Sequence, residues 1–124
     1  MSYRDFAVRF ARTWEDGWRA HDVALLASLY AEECVHTSMP FREPHRGRAA
    51  ILDYIRWSFE DERVVSVGFD EPLVDGERAA IEFRVEAEGG SLAGCVFVRF
   101  TPDGLAAETR DYWHFREAAE GPPR

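Results

Sequence analysis

The chain of 124 residues lacks an excess of positive charge. It has 15 Lys and Arg residues against 23 Asp and Glu residues, so its formal net charge is −8 at pH 7. Because a protein that binds nucleic acid needs a basic face toward the phosphates, this balance argues against such a partner. We expect the acidic surface mainly to keep the protein soluble.

Long apolar runs are also missing. No stretch approaches the roughly 20 apolar residues of a membrane-spanning helix. The opening MSYRDFAVRF carries charges where a secretory signal needs an apolar segment. We therefore predict a cytoplasmic protein with no membrane partner.

Cysteine is scarce, and the usual cofactor motifs are absent. Cys34 and Cys95 are far apart and belong to no CxxC pair, which favours two free, buried thiols but leaves a disulfide open. The four histidines show no paired ligand spacing, and no phosphate-binding glycine loop or dinucleotide fingerprint occurs. We predict neither a metal site nor a cofactor.

Apolar and aromatic residues are abundant instead. They make up 46% and 14% of the chain, with four Trp and nine Phe, which is typical of a globular protein and enough to line a cavity. The length suits one domain with a single core. We expect residues 1–116 to form that domain and residues 117–124 to be a frayed tail.

The first half of the sequence predicts three helices. Residues Tyr3 to Ala20 have a helical repeat with one aromatic face, formed by Phe6, Phe10, Trp14 and Trp18. This face is expected to pack against a sheet, and its tryptophans could also form a pocket wall. A short helix from Asp22 to about Glu32 and a third from Gly47 to about Phe59 follow.

The remaining segments read as strands. A brief strand is expected over Cys34 to Met39, with His36 and Ser38 on one face and Met39 on the other. Glycine-containing turn pairs separate four longer alternating segments: Arg63–Leu73, Arg78–Glu88, Ser91–Thr101 and Leu105–Phe115. Three helices followed by such a meander predict an α+β fold, in which a curved antiparallel sheet closes over the helices.

The last strand carries an unusual charge. Its odd positions are Leu105, Ala107, Thr109, Asp111, Trp113 and Phe115, so Asp111 is the only charged residue on an apolar face. Removing a carboxylate from water without a partner is costly. Asp111 is therefore paired, kept uncharged, or placed in a cavity that holds a ligand.

His36 is the candidate partner for Asp111. If the first strand crosses the pocket, the two side chains could form an acid/base dyad, with Ser38 orienting water or substrate. The alternatives are a structural aspartate satisfied by Arg84 or by backbone donors, and a structural or surface histidine. Spacing alone leaves these alternatives open.

Two arrangements fit the strand that contains Glu82 and Arg84. Its other face is wholly apolar, from Ala79 to Ala87. In the first arrangement the apolar face packs on the helices and both charges are solvated. In the second the apolar face is a dimer contact, and Arg84 bridges Glu82 and Asp111 inside the pocket.

Four stretches resemble the SnoaL-like branch of the nuclear-transport-factor-2-like superfamily: GWRAHDVALLASLYAEECVHTSMPF, RGRAAILDYI, LVDGERAAIEFRVEA and DGLAAETRDYWHF. The resemblance implies a cone, in which a bent sheet wraps the long first helix around a deep apolar pocket. It also implies a homodimer formed through the outer sheet face. Members include polyketide cyclases, ketosteroid isomerases, dehydratases and limonene epoxide hydrolase, so fold alone does not give the reaction.

Within that superfamily, two motifs resemble the epoxide hydrolase. CVHTSMP resembles its water-holding strand, with His36 and Ser38 at the key positions, and RDYW resembles its RDYF, which puts Asp111 at the catalytic base. The Arg-x-Asp pair of that enzyme falls on Glu82-x-Arg84 in reversed order. The other register places Ala80 where the acid should be, so epoxide opening is not carried over.

The sequence thus predicts a cofactor-independent acid/base enzyme of the isomerase, cyclase, dehydratase or hydrolase type. Its ligand is a small apolar organic molecule, and its catalytic residues are Asp111 and His36. The predicted substrate-binding residues are Ser38, Glu82, Arg84, Trp14, Trp18, Met39 and Trp113. The alternative is a non-catalytic ligand-binding or dimerisation module of the same fold.

Overall fold

A computed structural model describes residues 1–118 of the chain. It contains three helices, α1 (Tyr3–Ala20), α2 (Val23–Ala27) and α3 (Arg48–Phe59). Its strands are β1 (Tyr30–Ser38), β2 (His45–Arg46), β3 (Val64–Phe69), β4 (Leu73–Asp75), β5 (Arg78–Ala87), β6 (Gly90–Phe100) and β7 (Ala106–Glu117). β7 therefore passes the predicted domain boundary by one residue, and residues 119–124 of the predicted tail lie outside the described part.

Helix α1 has the bounds that its periodicity predicts. Ser2 and Asp5 form a capping box, in which each side chain accepts a hydrogen bond from the other residue's backbone N–H. The helix ends at His21, which adopts a left-handed conformation. At Gly17 an added Cβ would lie 2.6 Å from Leu26 Cδ2, so α2 packs closely because residue 17 has no side chain.

Helix α2 is shorter than predicted. It ends at Ala27 rather than near Glu32, and the chain enters β1 at Tyr30. Tyr30 pairs with Ala106 of β7, and both residues are buried. Pairing with a buried strand outweighs the local helical repeat here, because tertiary burial can override intrinsic propensity.

The seven strands form one curled, unclosed sheet in the order β2-β1-β7-β6-β5-β3, with β4 also paired to β5. The predicted meander is antiparallel as expected over β5, β6 and β7. β1, however, pairs with β7 in parallel, so the sheet is mixed rather than wholly antiparallel. Turn signals report only neighbouring strands, and a parallel pair needs a long crossover that they do not reveal.

The predicted strand Arg63–Leu73 is interrupted. β3 and β4 pair with opposite halves of β5, and residues 70–72 between them are not in a strand. Pro72 lies in this gap and has no N–H to donate to a ladder.

The core lies between the concave face of the sheet and the helices. Its fully buried large side chains include Phe10, Leu26, Ile51, Ile81, Val85, Val98 and Phe100. Each such side chain contributes roughly 1.5–3 kcal/mol relative to an exposed one. The inward face of β5 is therefore the apolar one, and the first of its two predicted arrangements is correct.

Both cysteines are free, as the sequence favours. Cys34 is fully buried on β1, and Cys95 is half-buried on β6. Burial raises the pKa of the Cys34 thiol to about 12, and the Thr109 hydroxyl offsets only part of this shift. Among the described helices, none is long and apolar enough to cross a membrane.

Candidate active site

A cavity of about 580 Å³ lies between the concave sheet face and helices α1 and α3. This volume is within the range of small-molecule sites, about 300–1,000 Å³. Ten of its lining side chains are aromatic: Phe10, Trp14, Trp18, Tyr30, Tyr54, Trp57, Phe59, Phe69, Phe83 and Trp113. The aromatic residues that the sequence provides are thus concentrated around one internal space.

The predicted pair His36 and Asp111 is in contact at this cavity. In the parallel ladder His36 lies opposite Thr109 and Ser38 lies opposite Asp111, so the two side chains project from neighbouring strands. His36 Nε2 is 3.3 Å from Asp111 Oδ2. The side chains are 9% and 18% exposed, and both residues line the cavity.

Thr109 fixes the other side of the His36 ring, and the sequence reading did not assign it a role. Its Oγ1 is 2.7 Å from His36 Nδ1. When the ring proton is on Nε2, which faces the carboxylate, Nδ1 accepts from the Thr109 hydroxyl, whereas in an imidazolium Nδ1 donates to the Thr109 oxygen. Its place on the Asp111 face, two residues earlier, is the signal that could have identified it.

The second oxygen of Asp111 has no partner. Oδ1 is buried and accepts no hydrogen bond from any described residue. A buried acceptor without a donor costs about 1–3 kcal/mol, and more when it is charged. A donor on a molecule bound in the cavity would recover this energy.

Ser38 and Met39 support the wall from behind. Ser38 Oγ accepts from the Tyr54 hydroxyl and from Trp113 Nε1–H, both at 3.0 Å. The backbone N–H of Met39 donates to the Asp111 carbonyl oxygen at 2.9 Å. The backbone N–H of Trp113 donates to Met39 Sδ at 3.2 Å. Neither side chain lines the cavity, so their predicted contact with substrate is corrected to a supporting position.

All three predicted tryptophans line the cavity, and each has its indole N–H engaged. Trp14 donates to the Tyr30 hydroxyl at 3.1 Å, Trp18 donates to Glu62 at 2.8 Å, and Trp113 donates to Ser38. With these donors occupied, the rings offer their faces and edges to a ligand.

Glu82 and Arg84 lie on the convex face of the sheet, so their predicted place in the pocket is wrong. Arg84 Nε is 2.6 Å from Glu86 Oε1, and its side chain is mostly exposed. The Ser91 hydroxyl and then Arg84 lower the pKa of Glu86. Since side chains alternate along a strand, the inward burial of Phe83 and its neighbours forces these charges outward.

Tyr30 is a cavity residue that the sequence reading assigned to a helix. It is almost fully buried, and this burial raises its pKa far above that of an ordinary phenol. Tyr30 is therefore neutral near pH 7. Because its oxygen accepts from Trp14, its own proton is available for donation to a ligand oxygen.

A histidine on β2 adjoins the catalytic candidates. The His45 ring stacks on Tyr54 with centroids 4.3 Å apart, and its centroid lies 6.2 Å from that of His36. Burial and then the neighbouring His36 lower the pKa of His45. Within residues 1–118, no three His, Cys, Asp or Glu side chains are grouped to hold a metal ion.

Residues 11–109 match the family model of the SnoaL-like domain. The chain belongs to the SnoaL-like domain family. The resemblance identified from the sequence is thereby confirmed. No protein of curated function matches this SnoaL-like domain in sequence.

Solved structures share the fold of this SnoaL-like domain. A proposed ketosteroid isomerase from Kribbella flavida DSM 17836 has 26% identity and a TM-score of 0.74. The match covers 100% of this chain and 87% of the isomerase chain. A protein of unknown function with a cystatin-like fold from Methylobium petroleophilum PM1 has 26% identity and a TM-score of 0.73, covering 98% and 83%. A hypothetical protein with a ketosteroid isomerase-like fold from Catenulispora acidiphila DSM 44928, in complex with trimethylamine, has 16% identity and a TM-score of 0.70, and the match covers 83% of each chain.

Proposed function

We propose that this SnoaL-like domain is a cofactor-independent acid/base enzyme of the isomerase, cyclase, dehydratase or hydrolase type. Its substrate is a small, largely apolar organic molecule. One observation carries the proposal: the His36–Asp111 pair lies at the wall of an aromatic cavity and leaves Asp111 Oδ1 without a partner. This combination of a cavity and a convergent titratable pair is typical of catalytic sites.

The chemistry follows from the two oxygens of Asp111. Oδ1 accepts a proton from a substrate carbon or from water. Meanwhile His36 Nε2 lies beside Oδ2, and the Thr109 hydroxyl orients the ring of His36 through Nδ1. Negative charge then grows on a substrate oxygen, to which the neutral Tyr30 hydroxyl can donate a hydrogen bond. The proton returns from Asp111 to another atom of the same substrate, which completes an isomerisation without a cofactor.

The lining supports an apolar substrate. Trp14 and Trp18 of α1 and Phe69 and Phe83 of the sheet contact one another around the cavity in T-shaped, tilted and stacked pairs. Such a wall favours apolar molecules and excludes water from the acid/base pair, which strengthens its electrostatic interactions. That a relative of this fold holds trimethylamine supports a small molecule as the occupant.

The alternative is a dimerisation module, and the convex sheet face favours it. Phe97 and Tyr112 are 36% and 41% exposed there and contact each other. We propose a homodimer through this face. Sedimentation of the Phe97→Arg variant should then give a monomer, and an unchanged mass would contradict this interface. A cytoplasmic location stays a prediction.

Deuterium exchange tests the enzymatic proposal. We choose 2-tetralone, an apolar bicyclic ketone with exchangeable C–H bonds beside its carbonyl, and follow deuterium uptake in D₂O by mass spectrometry. The protein should accelerate the exchange above buffer, and Asp111→Asn should slow it by about 10²-fold or more, since that is the usual contribution of a general base.

A matched carboxylate provides the control. Asp53 on α3 is 79% exposed and pairs only with Arg56 in the described part of the chain, so Asp53→Asn should exchange like the wild type. Equal rates for the wild type and Asp111→Asn would contradict the proposed role of Asp111. A rate no higher than that of buffer would contradict proton abstraction from such ketones.

A further inference from the structure

The cavity has an uneven charge balance. Among its lining side chains within residues 1–118, the acidic ones are Glu60, Asp61, Glu62 and Asp111, and the one permanently cationic side chain is Arg42. Arg42 is exposed at the rim, where its guanidinium carbon lies 5.4 Å from the centre of the Trp113 ring. The ring of Trp113 thus already holds a cation against its face.

The aromatic rings add to the negative potential. An indole or phenyl ring is electron-rich on its face and attracts cations placed within about 6 Å of its centre. Because the N–H groups of Trp14, Trp18 and Trp113 are bound to protein acceptors, a ligand does not compete for them as donors. What these rings present to the cavity is mainly their π systems.

Asp111 supplies the inner charge. Among the described residues its carboxylate has no Lys or Arg partner, and its one recorded polar side-chain contact is His36. Oδ1 is buried and accepts no hydrogen bond from residues 1–118. Charges in such surroundings interact several times more strongly than in water, so a complementary positive group on a ligand would be attracted strongly.

We propose that the ligand of this cavity is an apolar organic cation, with a tertiary or quaternary ammonium group attached to an aromatic or aliphatic body. Its positive nitrogen lies toward Asp111, and its carbon substituents contact the tryptophan faces. The proposal rests on the proposed function, because it specifies the ligand class of the same cavity. A positive nitrogen also acidifies the neighbouring C–H bonds, which suits proton removal by Asp111.

Other ligand charges fit the cavity less well. An anion would approach the four carboxylates with Arg42 as the one permanent cation among the described lining residues. A neutral apolar ligand would fill the volume but would leave Asp111 Oδ1 without a donor or a counter-charge. A substituted ammonium gives the carboxylate a counter-charge, and a protonated tertiary amine also gives Oδ1 an N–H donor. Its carbon substituents contact the aromatic wall.

Three probes of similar size separate these cases. Benzyltrimethylammonium is the cation, neopentylbenzene is its neutral isostere, and 3-phenylpropionate is the anion. Their dissociation constants are measured with the whole chain by quenching of tryptophan fluorescence. The cation should bind at least about tenfold more tightly than the other two, which corresponds to about 1.4 kcal/mol.

Two substitutions, one removing a negative charge and one removing a positive charge, should change the binding of the cation in opposite directions. Asp111→Asn should weaken binding of the cation by about tenfold and leave the neutral isostere within about twofold. Arg42→Ala removes the competing positive charge from an exposed position and should tighten binding of the cation. Asp53→Asn is the matched control and should bind all three probes like the wild type.

The outcomes decide the proposal independently of catalysis. The proposal would be overturned if the wild-type chain bound the cation and its neutral isostere with equal dissociation constants. It would also be overturned if Asp111→Asn weakened the binding of both probes by the same factor. If 2-tetralone exchange depends on Asp111 while the cation has no advantage, this proposal fails alone. If the cation has its advantage but no exchange is found, only the enzymatic proposal fails.

Discussion

The two walls of the cavity differ in what they contribute. The wall formed by β1 and β7 carries His36, Thr109 and Asp111: the Thr109 hydroxyl is hydrogen-bonded to His36 Nδ1, and His36 Nε2 lies 3.3 Å from Asp111 Oδ2. The opposite wall, formed by β3 and β5, carries Phe69 and Phe83, whose rings stack with centroids 5.3 Å apart. The acid/base pair therefore lies on two parallel strands, and the antiparallel part of the sheet supplies shape and stability.

The largest effect is expected from the aromatic wall. Phe83→Ala removes a buried ring that contacts Phe69 and Trp18, and it should lower the free energy of unfolding by about 3 kcal/mol. Urea denaturation measures this loss. Phe41→Ala, at a fully exposed turn position, is the matched control and should cost much less. Equal losses would show that the inner wall has no special part in stability.

A smaller effect is expected on the polar wall. Thr109→Val keeps the side-chain shape but leaves His36 Nδ1 without its partner, so exchange of 2-tetralone should slow by about tenfold. Its pH profile should shift as well, because the ring is no longer held in one tautomer. Thr109→Ser keeps the hydroxyl and should restore both rate and profile. If Thr109→Val exchanged 2-tetralone at the wild-type rate, the proposed role of the Thr109 hydroxyl would be contradicted.

The smallest effect is expected outside both walls. Arg84→Ala breaks an exposed ion pair with Glu86, and such pairs contribute little to stability because water screens them. Its exchange rate should equal that of the wild type, as measured in the same assay. A large loss of activity would mean that the convex face communicates with the cavity, and the division between the two walls would no longer hold.

The two walls also show how much of the structure could be predicted from the sequence. The bounds of α1 were predicted, because strong periodicity is a local signal, and the lone charge on an apolar strand face singled out Asp111. Its contact with His36 was one of the alternatives that the spacing left open. The direction in which Glu82 and Arg84 point was left open, since a period of two defines two faces without saying which is buried.

Tyr30 marks the limit of local reasoning. Its surroundings have a helical repeat, so the sequence placed it in a helix, whereas pairing with Ala106 draws it into β1 and into the cavity. The parallel pairing of β1 with β7 joins segments about 70 residues apart, and no turn signal reports such a contact. Ser38 and Met39 were misassigned for the same reason, because their neighbours come from distant elements.

The two thiols differ enough to be chemically distinguishable. Burial raises the pKa of both thiols, that of Cys34 to about 12, but Cys34 is sealed in the core, whereas Cys95 is half-buried and paired with the outward-pointing Glu82 in the β5–β6 ladder. A maleimide dye should therefore attach at Cys95 in the native chain without any cysteine being replaced. Attachment that slows as protein concentration rises would report directly that a second subunit covers this surface.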